Sequence, residues 1–271
     1  MLIILSGLPS SGKSTLARKI AKILELDLSM KTIIIESDAI RNMIPSYQER
    51  QFNPDHEPVV RSAMFTLIKH FLQQDYLVIN DDMNYYKSMR HELREIALEM
   101  NVLFAIIYIS TPREVALSWN ERRGLPIPQD VIEDVYNRFD IPGKDYDWDR
   151  PIFTVDLSKV ASKTAASEAV TLIRDLLSKP KISEVKTVME PSEDDKYKEA
   201  IDQLTRKTIS EIITQKKNEE LAKDLSDVRR DYVKMAIKNK MTLDEVNVKF
   251  KELVEKIVQY YGEWLVESTV I

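Results

Sequence analysis

The residues best suited to chemistry stand near the start of the chain, where Gly7, Leu8, Pro9, Ser10, Ser11, Gly12, Lys13, Ser14 and Thr15 follow one another without a break. They obey the pattern G-x-x-x-x-G-K-[ST]. The apolar run Leu2 to Leu5 precedes them and the helically spaced Leu16, Ile20, Ile23 and Leu24 follow, which is the strand-then-helix setting the pattern requires. The two glycines let the backbone turn so that successive N–H groups converge at a positive helix end, a cradle for phosphate oxygens. In that cradle Lys13 reaches the β- and γ-phosphates and Ser14 offers its hydroxyl to Mg²⁺, while Thr15 opens the helix. A strand-to-helix turn that binds nothing would not need all of these features in order.

Carboxylates and arginines placed at strand ends complete a chemical set. Lys31 to Ile35 reads as a second buried strand running into Glu36-Ser37-Asp38-Ala39-Ile40-Arg41, and polar groups at the carboxyl end of a parallel strand face the ligand crevice. Asp38 can accept a proton from an attacking hydroxyl or hold Mg²⁺ through water, and Arg41 can pair with it or bind phosphate. Either Ser37 or Asp38 is equally able to cap a helix. Tyr76 to Asp82 is a strand ending in two carboxylates. Asp81 is the first choice for the metal shell, and Asp82 shares that role or acts as a base. Asn84 and Arg90 either touch substrate or belong to a polar turn before a helix over 90–100.

Farther on, Val102 to Ile109 is a strand, and Thr111-Pro112 starts a helix carrying Val115, Leu117 and Trp119 and ending in Asn120-Glu121-Arg122-Arg123-Gly124. An arginine there, Arg123 in preference to Arg122, can fold over the phosphate loop and stabilise a transferring phosphoryl group, or can simply complement the helix dipole. The expected catalytic set is therefore Lys13, Asp38, Arg41 and Arg123, with Ser14 and Asp81 on the metal. His56 and His70 have no partner at ligand spacing. Tyr146 and Trp148, in the turn-rich stretch 140–151, either stack on a base or tuck beneath their loop.

The elements that must position these residues alternate strand and helix, with a fifth strand at 152–155 and a closing helix at 165–177. That order predicts an α/β fold with a parallel five-stranded sheet and helices on both faces. Residues 46–58 read as a surface loop able to close over substrate. Residues 1–178 form this domain, 179–195 a Pro-containing acidic linker, and 196–271 an all-α domain. Its three amphipathic helices bury Ile201, Leu204, Thr208 and Ile212, then Leu221, Leu225, Val228 and Tyr232, then Val246, Phe250, Leu253, Ile257 and Tyr260. Arg230, Lys234 and Lys238 recur every four residues, with Lys223 and Arg229 nearby, as an RNA-neutralising stripe or an ordinary solvated face.

Composition narrows the possibilities. The chain has 271 residues, a formal charge of -5 and a pI near 5.5, so nucleic acid would be gathered only by local patches. It has no cysteine, which excludes disulfides, thiolate metal sites and cysteine nucleophiles. Apolar runs are strand-sized, and a cytoplasmic location without leader or membrane helix is expected.

Taken together, Gly7 to Ser14, Ser37-Asp38-Ala39-Ile40-Arg41, Asp81-Asp82-Met83-Asn84-Tyr85-Tyr86, Arg138-Phe139-Asp140-Ile141-Pro142 and Trp148-Asp149-Arg150-Pro151-Ile152-Phe153 resemble a family of P-loop kinase-like proteins. That family unites L-seryl-tRNA(Sec) kinase with the elongator-associated, killer-toxin-insensitivity ATPase. Ile201-Asp202-Gln203-Leu204-Thr205-Arg206 and Arg229-Arg230 extend the resemblance into the tail. It implies ATP and Mg²⁺ as cofactors and tRNA as partner, gripped by the helical domain. For the kinase branch it implies transfer of the γ-phosphoryl to the serine of Ser-tRNA(Sec), carried by Gly12, Lys13, Ser14, Asp38, Arg41, Asp81 and Arg123. That branch has two lid arginines four apart, and Trp119 occupies the earlier place here. Trp119-Asn120 is instead similar to the ATPase branch, which implies tRNA-stimulated hydrolysis supporting wobble-uridine modification beside an elongator-type protein. A small-molecule kinase whose tail only makes a homodimer is the third reading.

Overall fold

The computed structural model describes residues 1–45, 54–124, 127–178, 193–216 and 219–268. Most of the predicted loop over 46–58 and of the linker over 179–195 lies outside them. The chain divides into two compact units, Met1–Glu190 and Pro191–Ile271.

In the first unit, strands β1 (Leu2–Gly7), β2 (Thr32–Glu36), β3 (Leu77–Asp81), β4 (Phe104–Ile109) and β5 (Phe153–Val155) form one sheet in the order β2-β3-β1-β4-β5. Every pairing is parallel, with Ile3 opposite Ile79 and Ala105, and Ile107 opposite Phe153. All six residues of β1 are buried, as a central strand covered on both faces must be. Successive side chains of a strand point to opposite faces, and the two cores divide accordingly. Ile3 and Leu5 pack with α1 (Lys13–Leu26) and α7 (Ser162–Ser178) through Leu16, Ile20, Leu24, Ala169 and Ile173. Leu2 and Ile4 pack with α3 (Glu57–Gln73) and α4 (Lys87–Glu99) through Val60, Met64, Ile68, Leu93 and Ile96. The short α2 (Ser37–Arg41), with α5 (Arg113–Arg122) and α6 (Gln129–Asn137), lies in the connections after β2 and β4.

Several boundaries move from the sequence expectation. Helix α4 starts at Lys87 rather than Arg90, because the side chain of Asp140 accepts a hydrogen bond from the Lys87 N–H (3.1 Å). Ser37 to Arg41 is itself a helical turn.

The second unit is a bundle of α8 (Glu193–Lys216), α9 (Glu219–Lys238) and α10 (Leu243–Ser268), so the last three residues of the predicted linker are helical. Its core joins Ile201, Leu225, Tyr232, Val233, Val246, Phe250 and Val254. Tyr260, expected in that core, is 68% exposed, since at the far end of α10 the 3.6-residue period has carried it off the apolar face. Asp202 on α8 joins Arg206 and Arg229, each at 2.7 Å. Burial pushes the Asp202 carboxyl up, but the two guanidinium groups outweigh it and hold it below the ordinary range. Arg229 therefore belongs to a bridge between two helices and not to a solvent-facing stripe. Arg230 pairs with Asp227, Lys234 lies 3.5 Å from Asp231, and Lys238 is exposed.

Among the described residues, no helix is long and apolar enough to cross a membrane.

Candidate active site

The carboxyl ends of β1 and β3, adjacent in the sheet, open onto one crevice. A Cβ on Gly7 would sit 2.8 Å from the Ile109 carbonyl oxygen, so β4 leaves room only for glycine. Gly12 caps α1 with φ of 99° and Ser10 has φ of 58°, left-handed values that curl the loop between them. The turn is tied by Ser11 N–H to the Leu8 carbonyl (3.2 Å) and by the Thr111 hydroxyl to the Ser11 carbonyl (3.1 Å). Leu8, Pro9, Ser11 and Thr15 thus build or flank the loop.

Lys13 folds along this loop, donating to the Gly7 (3.0 Å) and Leu8 (2.6 Å) carbonyls, and is 8% exposed. Burial lowers its pKa to about 8, against the pull of Asp81, Asp82 and Asp38. The ammonium thus stays charged at neutral pH, its hydrogen bonds to Gly7 and Leu8 going to neutral carbonyls that phosphate oxygens would displace.

Asp81 ends β3, buried, and accepts a hydrogen bond from the Ser14 hydroxyl. Its Oδ2 is buried without a hydrogen-bond partner. Burial, reinforced by Glu36 and Asp82, pushes its pKa up to about 6 despite Ser14 and Lys13. An unsatisfied carboxylate oxygen beside a hydroxyl fits a hard divalent cation, which Mg²⁺-type sites hold with one or two protein oxygens plus phosphates. Among the described residues, no three His, Cys, Asp or Glu side chains are grouped to hold a metal.

Asp82 accepts from the Met83 N–H (2.7 Å) and the Ser37 hydroxyl. Burial raises its pKa, with Met83, Arg41 and Ser37 acting against it. Ser37 in turn accepts from Arg41 Nη1 (3.0 Å), which also donates to Asp38 at 2.6 Å. The principal partner of Arg41 is Glu57, met by a two-pronged contact from Nε (2.9 Å) and Nη2 (2.8 Å). This pairing holds the guanidinium charged well above its ordinary range. Asp38 is 84% exposed at the mouth of the crevice. The sequence reading missed Glu57, since nothing local marks one acid at the end of a polar loop.

For Asn84 and Arg90, which the sequence leaves open between substrate contact and a polar turn before a helix, the structure gives buried structural bonds. Arg90 is fully buried, its fork on Asp149 at 2.7 and 2.6 Å and its Nη1 on the Asn84 carbonyl at 2.9 Å. Asn84, also buried, donates to the Leu5 carbonyl and to Asn80 Oδ1, both at 2.8 Å. Tyr146 is buried, and Trp148 packs edge-on to His91 and under Arg94, so these aromatics are tucked beneath their loop.

Helix α5 closes the loop from above. Leu8 packs with Ala116 of α5 and Val135 of α6, the Trp119 ring lies 3.5 Å from where a Gly12 Cβ would stand, and Ser10 donates to Asn120 Oδ1 at 3.2 Å. Arg123 follows as the exposed C-cap, and Arg122 is exposed beside it.

Comparison with known proteins agrees with this geometry. A family model described as "Chromatin associated protein KTI12" matches residues 1–259. L-seryl-tRNA(Sec) kinase of Methanococcus maripaludis is 35% identical over 263 residues, covering 94% of this chain and 99% of that protein. Protein kti12 of Schizosaccharomyces pombe is 29% identical over 162 residues, 57% of this chain and 56% of that protein. The crystal structure of Chaetomium thermophilum Kti12 in complex with ADP-AlF3 is 25% identical, with a TM-score of 0.55 over 65% of this chain and 98% of that one.

Proposed function

The chain belongs to the KTI12 family, and from that membership we propose that it is an ATP-dependent phosphotransferase carrying the γ-phosphoryl group to the serine hydroxyl of Ser-tRNA(Sec). The observation that carries this reading is near end-to-end similarity to a seryl-tRNA kinase, 35% identical over 94% of this chain. In support, the Ser14–Asp81 pair has an unpartnered buried oxygen beside the phosphate loop.

Bound MgATP would supply the phosphoryl group and a cation to balance its developing charge. The chain's own residues position and neutralise. Loop amides and Lys13 grip the phosphates, Ser14 and Asp81 hold the cation, and Arg123 covers the transferring group. Asp38, at the solvent side and steadied by Arg41, takes the proton of the incoming hydroxyl. The helical unit grips tRNA through Arg230, Lys234 and Lys238.

A second reading is favoured by Trp119, which stands where the kinase branch has its first lid arginine. Here the same machinery sends phosphate to water when tRNA binds, as an ATPase acting with an elongator-type protein. Incubation with γ-labelled ATP and seryl-tRNA separates the two. Label on the aminoacyl end supports the kinase, phosphate release stimulated by any tRNA supports the ATPase, and indifference to tRNA defeats both. Lys13→Ala should abolish turnover with the fold intact.

A further inference from the structure

We propose that Asn120 is a positioning residue that ties the presentation of Arg123 to the phosphate-binding loop. This rests on the reading of Arg123 as the lid arginine.

Asn120 is 0% exposed, and its amide is occupied on both sides. Oδ1 accepts from the Ser10 hydroxyl (3.2 Å) and the Ile127 N–H (3.3 Å), while Nδ2 donates to the Ile127 carbonyl at 2.6 Å. One side chain therefore joins three segments: the phosphate loop, the last turn of α5 and the chain seven positions on. Only a short group with both an acceptor and a donor can meet both backbone groups of Ile127 and still receive the loop hydroxyl.

The contact with Ser10 belongs to a regular set. Positions 8, 10 and 12 of the loop all meet the lid: Leu8 in the cluster with Ala116 and Val135, Ser10 on Asn120, and Gly12 under Trp119. Lys13, by contrast, lies along the loop carbonyls. Alternate loop residues thus serve as a docking strip for α5. Arg123 is placed directly by this joint, since its N–H donates to the carbonyls of both Trp119 (3.3 Å) and Asn120 (3.2 Å). A shift of the loop backbone at Ser10, a non-glycine residue at φ of 58°, is passed through one hydrogen bond to the helix end bearing Arg123.

The test compares Asn120→Ala, Asn120→Asp, Ser10→Ala, Arg123→Ala and the Asn120→Ala/Arg123→Ala pair in the full chain, measuring kcat and KM for release or transfer of the γ-phosphoryl group of MgATP and checking each fold by thermal melting. Arg123→Ala is expected to lower kcat by about 10³. Asn120→Ala should lower kcat by about 10², the scale of a 1 Å misplacement, with KM for ATP changed less than about threefold. Asn120→Asp, which keeps the shape but loses the donor to Ile127, should behave alike, and Ser10→Ala should show part of the loss. The double variant should be no slower than Arg123→Ala alone. Should Asn120→Ala fail to fold, the Asp and Ser10 variants carry the same comparison. Normal kcat in the Asn120 variants with an impaired Arg123→Ala, fully multiplicative losses, or a change in KM alone would each overturn the positioning role. Parental rates in Arg123→Ala would overturn the lid-arginine reading and this inference with it.

Discussion

Replacing Asp81 by Asn is expected to make the metal-free protein more stable while removing its metal-dependent turnover. The ordinary carboxyl pKa of 3.8 is raised to about 6 at this buried position. Between those values the folded state therefore binds a proton that the unfolded chain has already released. Stability must fall as pH rises through the window from about 4 to about 6, and the ionised form carries a penalty of about 3 kcal/mol at neutral pH. Asn keeps the shape and cannot ionise, so the penalty disappears. The attraction of Lys13 is already contained in that shift, so about 3 kcal/mol bounds the gain. A unit of this size melts about 2–4 °C higher per kcal/mol, so Asp81→Asn should melt several degrees above the parent at pH 7.5. The advantage should shrink to about half by pH 5 and to about a fifth by pH 4, vanishing below about pH 3.

The assay is a thermal melt of both proteins at pH 4, 5 and 7.5, with and without Mg²⁺ and nucleotide. The parent should recover stability when the complex is added, because anything bound only by the folded state stabilises it. The variant should gain little from Mg²⁺ and turn over nothing. An Asp81→Asn protein less stable than its parent at pH 7.5, or an offset that does not change with pH, would refute the argument that burial dominates at this carboxylate.

Other positions give sharper structural tests. Gly7→Ala would force its Cβ to within 2.8 Å of the Ile109 carbonyl oxygen, a contact that only backbone movement relieves, and should cost about 1–3 kcal/mol in urea titration. Arg90→Ala strands the buried Asp149 carboxylate and should cost about 3–5 kcal/mol, whereas replacing both residues by apolar ones of similar size should cost markedly less. Arg229→Ala, which breaks the α8–α9 bridge to Asp202, should destabilise the helical unit by about 1–2 kcal/mol with little change in the salt dependence of RNA binding. Lys238→Ala should leave the melt within about 0.5 kcal/mol and reduce the salt slope of tRNA binding by about 1.

What could be read in the sequence was the chemistry that is local in the chain. Gly7, Gly12, Lys13 and Ser14 lie within eight consecutive residues, and the conformation they need is set by glycine freedom and helix polarity. Asp81 was legible because a buried strand running straight into carboxylates has one crevice to deliver them to. The sheet followed from the alternation of strand and helix. Partners far apart in sequence stayed hidden. Asn120 meets Ser10 across 110 residues and Arg90 meets Asp149 across 59. Nothing in the polar run Lys87-Ser88-Met89-Arg90 tells a solvated arginine from a buried one until α4 is seen lying against the loop over 140–151. Of the motifs that carried the family resemblance, Trp-Asp-x-Pro supplies the joint through Asp149 on Arg90, and Asp-Asp-x-Asn-Tyr-Tyr divides between it, through the carbonyls of Asn84 and Tyr85, and the crevice, through Asp81 and Asp82. Their specificity comes as much from packing as from chemistry.

The crevice itself carries an excess of negative charge. Lys13 and Arg41 are surrounded by Asp38, Asp81, Asp82 and Glu57, and Glu36, shared with Arg18, lies near Asp81. Carboxylates outnumber cations, so a bare triphosphate meets a repulsive field once it leaves the amide cradle. Under the proposed function two additions would reverse the sign: a divalent cation at Ser14 and Asp81, and an arginine lowered from the lid. Arg41 cannot serve as that arginine while its guanidinium is engaged by Glu57, Ser37 and Asp38. That role would then fall to the exposed Arg122–Arg123 end of α5, a helix that meets the phosphate loop at Leu8, Ser10 and Gly12. On that reading, rigid placement of this helix, through Ala116 against Leu8 and the α6 residue Val135, would be part of the electrostatics of phosphoryl transfer and not merely of the fold.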